Sequence, residues 1–282
     1  MTGWRTRLGA VGVWRRFTAL DGELVAELET LGYGTVWLGG SPPSDLVAAE
    51  ALLDASTSTV VATGVVNIWK SDAAELAASF HRIERRHPGR LLLGIGSGHR
   101  EATPERVRPL EAMARYLDVL DDHGVPRGAR VLSALGPKML GLAGERSAGT
   151  HPYLTVPSQT AQARAALGPG ALVAPEQTVV PTTDDAAARR AARDFLRSYL
   201  GMVNYVTTMR RGGFTAADVA GGGSDTLVDA IVRHGDADAL AAAARAHLEA
   251  GADHVCLQVV PAADDPLPAL RSVAERLELS RP

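Results

Sequence analysis

Short runs of β-type residues alternate with longer helical patterns along the whole chain, and this alternation restricts the fold more than any other feature. Residues 11–14, 35–38, 59–69 and 91–95 read as four strands, and 129–134, 152–156, 172–180 and 254–259 as four more. Helical patterns occupy 23–31, 45–53, 73–86, 109–123, 138–146, 159–167, 184 to about 210, 237–250 and 268–277. The run Leu91-Leu92-Leu93-Gly94-Ile95 is apolar throughout, the pattern of a strand buried on both faces. Strand–helix alternation implies a parallel sheet, and eight strands imply a closed (β/α)8 barrel, a fold that takes about 250 residues. An open doubly wound sheet is the competing arrangement. The 282 residues suit one barrel, and no linker divides them. The Gly-rich stretch 212–223 reads as a loop inside the seventh unit.

Composition removes several function classes. A net charge of −3 leaves no basic excess to neutralise phosphates, so a general nucleic-acid binder is not expected. The single Cys256 excludes an intrachain disulfide framework and fits a reducing compartment. No apolar run approaches the roughly 20 residues of a membrane span, and none near residue 1 resembles a signal peptide. The expected location is cytoplasmic, with no membrane partner.

Barrel chemistry sits at the C-terminal ends of the strands, so the residues after each strand are the candidates. Gly94-Ile95-Gly96-Ser97-Gly98-His99-Arg100 follows the fourth. Gly96 and Gly98 allow close backbone approach, Ser97 adds a hydroxyl, and adjacent N–H groups bind anions or carbonyl oxygens. His99 is the best placed histidine for proton transfer, the usual work of an imidazole, with a plain loop histidine the equal alternative. At the third strand, Gly64 inside a β-branched run suggests a bulge, Asn67 offers a donor and Trp69 a cover for a planar ligand. An ordinary buried strand accounts for these residues at least as well. After the sixth, Thr155, Pro157, Ser158 and Gln159 open a helix whose free N–H groups suit a phosphate. Ser158 as a simple N-cap explains the same residues. His151 and His254 fall at expected strand starts and read as structural, and Cys256 as core. Arg210 and Arg211 have the reach for an anionic tail, although a solvated pair is the commoner outcome. Trp14, Trp37 and Trp69 supply the aromatic walls of a pocket otherwise aliphatic. No HExxH, CxxC or GxSxG pattern points to a metal site or an α/β-hydrolase.

Five stretches, in order, resemble one family. They are Gly34-Thr35-Val36-Trp37-Leu38-Gly39-Gly40-Ser41-Pro42, Val61-Ala62-Thr63-Gly64-Val65-Val66-Asn67-Ile68-Trp69, His87-Pro88-Gly89-Arg90-Leu91-Leu92-Leu93-Gly94-Ile95-Gly96-Ser97, His151-Pro152-Tyr153-Leu154 and Ala250-Gly251-Ala252-Asp253-His254-Val255. Together they resemble the luciferase-like oxidoreductases, in particular the branch that uses the deazaflavin coenzyme F420. The resemblance implies one luciferase-like barrel domain over 1–282, a homodimer, and hydride transfer between F420 and a small organic substrate. It places a bulge with a non-proline cis peptide at Gly64–Val65, behind the cofactor ring. It also implies contacts to the cofactor from Trp37, Gly39, Asn67, Gly96, Ser97, Gly98 and Gly136, with the phosphate-bearing tail at Thr155, Pro157, Ser158 and Gln159. His99 takes the catalytic place. Many relatives carry an acid or His after the second strand, where this chain has Gly39-Gly40. Remaining alternatives are an FMN-dependent monooxygenase of the same superfamily, a non-redox barrel hydrolase or lyase acting on a phosphorylated metabolite, and a non-catalytic binding homologue.

Overall fold

A computed structural model describes residues 3–99, 101 and 108–280; Arg100 lies outside them. Its strands are β1 (Val11–Arg16), β2 (Thr35–Gly39), β3 (Val60–Gly64), β4 (Val66–Asn67), β5 (Leu91–Gly96), β6 (Arg130–Leu132), β7 (Gly149–Thr150), β8 (Leu172–Val173), β9 (Glu176–Val180), β10 (Val232–His234) and β11 (Val255–Val259). All pair in parallel, in the order β10-β9-β11-β1-β2-β3-β5-β6-β7-β8, with β4 also on β5. Only Ala174 and Pro175 separate β8 from β9. Since β8 pairs β7 and β9 pairs β11, this one bent strand joins the two ends of the sheet and closes the barrel. The fold is the expected parallel (β/α)8 barrel.

Period-two alternation divides the side chains into two layers. On β2, Val36 and Leu38 pack outward among the helices, while Trp37 faces an inner cluster with Ala62, Leu92, Val131 and Cys256. The outer helices present apolar faces at helical spacing, as in Ala73–Arg86, which buries Leu76, Ala77, Phe80 and Ile83. The Asp72 side chain caps that helix by accepting from the Glu75 N–H at 2.9 Å.

Three features affect the site, the first as expected and the other two different from the sequence reading. The third strand is broken at Val65, and the Gly64–Val65 peptide is cis, as the resemblance implies. The sixth strand is Gly149–Thr150, not 152–156. Tyr153, Leu154 and Val156 have strand-forming side chains, but Pro152 has no N–H for a ladder and Leu154 adopts a left-handed φ of 55°. The region 184–210 is not one helix but Asp185–Leu196, a 3-10 turn Tyr199–Gly201 and a helix Val203–Arg211. A further helix, Asp225–Ile231, leads into β10.

Candidate active site

A cleft of about 550 Å³ opens at the C-terminal ends of the strands. Gly64 at the end of β3, Val65 after it, Asn67 from β4, and Gly96, Ser97, Gly98 and His99 at and after the end of β5 line one side. Gly136, opening the helix Pro137–Arg146, and Tyr199, Asn204, Tyr205 and Arg211 face them. A larger hollow of about 790 Å³ lies by the helix Gly3–Leu8 and includes Leu91 and Leu172, residues that start strands, so it sits at the opposite end.

The loop after β5 is held by other elements. The Trp69 indole N–H donates to the Ser97 carbonyl at 2.8 Å. Trp69 therefore braces this loop. Asn67 Oδ1 accepts from the Trp69 N–H at 3.0 Å, so only its amide nitrogen is left to donate to a ligand. His99 Nδ1 lies 3.0 Å from the Asn204 side-chain nitrogen, and its ring packs 4.8 Å from Tyr205. The helix Val203–Arg211 thus carries the partner that orients His99.

An aromatic wall continues from there. Tyr205 meets Tyr199 edge-on at 5.1 Å, Tyr199 meets Tyr153 at 5.7 Å, and Tyr153 meets Trp14 at 5.3 Å. The Tyr153 hydroxyl donates to Gln258 at 2.8 Å and pairs with the Tyr199 hydroxyl at 3.1 Å. Among the described lining residues the charged side chains are Arg16, Lys70 and Arg211, and none is a carboxylate. That balance favours an anionic ligand. Burial pushes the Glu176 carboxyl, nearby in the barrel, up to about 8, against the Thr178 hydroxyl and the Leu154 N–H.

Other expected contacts do not reach the cleft. Trp37 is wholly buried in the barrel axis, where its Nε1–H donates to His254 Nε2 at 3.0 Å and its ring stacks on His151 at 4.0 Å. Thr155, Pro157, Ser158 and Gln159 also lie off the cleft wall. Gln159, not Ser158, caps its helix: its Oε1 accepts from the Val156 N–H at 3.1 Å, and its Nε2 donates to the Thr208 carbonyl at 2.9 Å. Gly39 is also absent from the wall, for a steric reason. A Cβ there would stand 2.0 Å from Trp14 Cζ2, so the Trp14 indole fills the space that a side chain after β2 would take.

His151 is the main residue misplaced by the sequence reading. Because β7 ends at Thr150, His151 lies at the C-terminal end of its strand and lines the cleft. Its Nδ1 meets the Ala174 carbonyl at 2.7 Å, and burial pushes its pKa down to about 4. Tyr153, Tyr199, Tyr205 and Asn204 were not singled out either. Tyr153 stood inside a quoted motif, whereas the last three sit in the region read as one helix.

Residues 20–123 match the family model described as luciferase-like monooxygenase. An F420-dependent secondary alcohol dehydrogenase, solved with an F420–acetone adduct, superposes with a TM-score of 0.74 at 14% identity, covering 94% of this chain and 97% of that one. The coenzyme F420-dependent tetrahydromethanopterin reductase of Methanopyrus kandleri gives 0.67 at 17% identity, covering 96% and 100%. The oxygenating constituent of 3,6-diketocamphane monooxygenase from Pseudomonas putida, a type II Baeyer-Villiger enzyme solved with FMN, gives 0.64 at 16% identity, covering 96% and 97%. No curated protein sequence matches the chain. Residues 20–123 thus carry the likeness to the luciferase-like family model, and the superpositions across nearly the whole chain show a shared barrel fold.

Proposed function

We propose that the chain is an oxidoreductase that binds coenzyme F420 in the cleft and exchanges a hydride with a small organic substrate. The cleft itself carries this reading: a space of about 550 Å³ with a glycine-rich wall, three cations and no carboxylate among the described lining residues. Two features test the fit of a flat, anionic cofactor. Gly64, Gly96 and Gly98 line the cleft with backbone alone, a surface that a flat ring can approach closely. At the other side, Arg211 lies against Gly136, its Nη1 only 3.1 Å from where a Gly136 Cβ would stand, which offers a cation for a phosphate-bearing tail.

When bound, the deazaflavin supplies the hydride acceptor or donor, and the protein supplies the rest. Asn67 donates to the ring's polar edge. Arg211 holds the tail, with Lys70 and Arg16 adding positive potential. His99, oriented by Asn204, moves a proton at the substrate. The tyrosine wall excludes water from the reacting face. A homodimer and a cytoplasmic setting complete the proposal; among the described residues no helix is long and apolar enough to cross a membrane.

The match to a monooxygenase family model favours a second reading, an FMN enzyme using molecular oxygen. Fluorescence titration of the purified protein with F420 and with FMN separates the two. Tighter binding of F420 is expected. Equal or tighter binding of FMN moves the function to the second reading.

A further inference from the structure

Two buried polar atoms on the cleft wall lack a hydrogen-bond partner, Trp14 Nε1 and His151 Nε2. Trp14 is 6% exposed and His151 1%. Their hydrogen-bonding characters are opposite. An indole N–H only donates. On His151, Nδ1 faces the Ala174 carbonyl at 2.7 Å, and a carbonyl only accepts, so Nδ1 carries the proton and Nε2 presents a lone pair.

Both atoms lie beside Gly64 and within about 6 Å of each other, a separation that one oxygen can bridge. A Cβ placed on Gly64 would lie 2.6 Å from Trp14 Nε1 and 3.3 Å from His151 Nε2. Both rings are also fixed. The Trp37 indole stacks on His151 at 4.0 Å, and the Trp14 ring lies over the bare Cα of Gly39. The Tyr153 hydroxyl on the same wall is occupied by Gln258 and Tyr199. The Trp14 ring stands where the resemblance puts an acid or His after the second strand. A donor and an acceptor therefore replace one missing side chain.

We propose that Trp14 and His151 form a hydroxyl-binding pair, in which an alcohol oxygen of the substrate accepts from Trp14 Nε1–H and donates its own hydrogen to His151 Nε2. The inference rests on reading the cleft as a redox site and names its substrate class, small neutral alcohols. An alcohol satisfies both atoms through one oxygen. A ketone satisfies only Trp14, and a carboxylate sets its own lone pairs against that of His151. Discrimination of this kind arises where a buried polar group is left unpaired by the wrong ligand.

Protein labelled with ¹⁵N at Trp and His, with and without F420, is titrated with 2-butanol and with 2-butanone. The Trp14 indole peak is assigned by its loss in Trp14→Phe. In the loaded protein 2-butanol is expected to shift that peak and the His151 Nε2 resonance, and to bind roughly 10-fold or more tighter than 2-butanone. In His151→Phe or Trp14→Phe the preference falls to near unity while F420 affinity stays at the wild-type value. Equal binding of alcohol and ketone, or unmoved Trp14 and His151 signals, overturns the proposal and leaves the pair holding only water. Loss of F420 affinity in either variant also overturns it, by assigning the pair to the cofactor. If neither F420 nor FMN binds, the redox reading fails separately, and the alcohol-dependent shifts without cofactor still decide the pair.

Discussion

Gly39 shows how a single missing atom shapes this site. Read alone, Gly39-Gly40 is a gap where related sequences place an acid or His. In the folded chain no gap exists, because the Trp14 ring from the neighbouring β1 occupies it, 2.0 Å from any Cβ that Gly39 could carry. That substitution was not legible in the sequence, since it depends on the register that sets Trp14 beside Trp37 on β2. His99 was legible, because its place after β5 follows from strand order. Its partner Asn204, 105 residues further along the chain, was not. His99 lies on the cleft wall with a fixed partner, so proton transfer is the role its position suits. His99→Ala is expected to lower kcat by about 10²-fold or more, with F420 affinity nearly intact, measured by single-turnover and equilibrium titration. A changed Kd with unaltered single-turnover transfer at saturating cofactor removes the catalytic role.

Elements were legible where one physical signal dominated. β5 and the helix Ala73–Arg86 follow directly from a continuous apolar run and a 3.6-residue period. The sixth strand failed because side-chain propensity pointed to 152–156, whereas the regular strand ends at Thr150. His151 N–H still bonds the Leu132 carbonyl at 3.0 Å, and then Pro152 interrupts the ladder. A shift of three residues at the strand start moved His151 from the expected closed end of the barrel to its open end. The stretch after β9 failed for a different reason. Its helical composition continues through Tyr199–Gly201, and only packing shows that the chain bends there to bring Tyr199 and Tyr205 over the cleft. The helix Pro157–Leu167 lies where the helical pattern at 159–167 put it. Its first turn is tied by Gln159 to the carbonyl of Thr208, so it braces the wall of the cleft and does not form it.

At the scale of the whole molecule, the barrel interior holds ionisable groups in their neutral forms, and this sets its response to pH. Burial pushes His151, His247 and His254 from 6.5 down to about 4. Their unfolded counterparts take up protons as pH falls through 6.5, so stability is lost between there and about 4. Burial pushes Glu176 from 4.5 up to about 8, so its contribution is fully present below 4.5 and is lost as pH rises towards 8. Each net proton is worth about 1.4 kcal/mol per pH unit. Three histidines outweigh one carboxyl below 6.5, and the carboxyl acts alone above it. Urea unfolding from pH 5 to 8 is therefore expected to show maximal stability near pH 6.5, with the steeper fall on the acid side. A profile that is flat from 5 to 6.5 contradicts the buried neutral histidines. Above this interior, the open end of the barrel holds the cleft, and our proposal puts the cofactor tail there at Arg211, away from the turn that carries Ser158. The direct measurement is F420 affinity by fluorescence for wild type, Arg211→Ala and Ser158→Asp side by side. Arg211→Ala is expected to weaken binding by roughly 10-fold or more, through loss of a charge-assisted contact, and Ser158→Asp to leave it unchanged. Weakening by Ser158→Asp with Arg211→Ala at the wild-type value would place the tail on the 155–160 turn and contradict the site described.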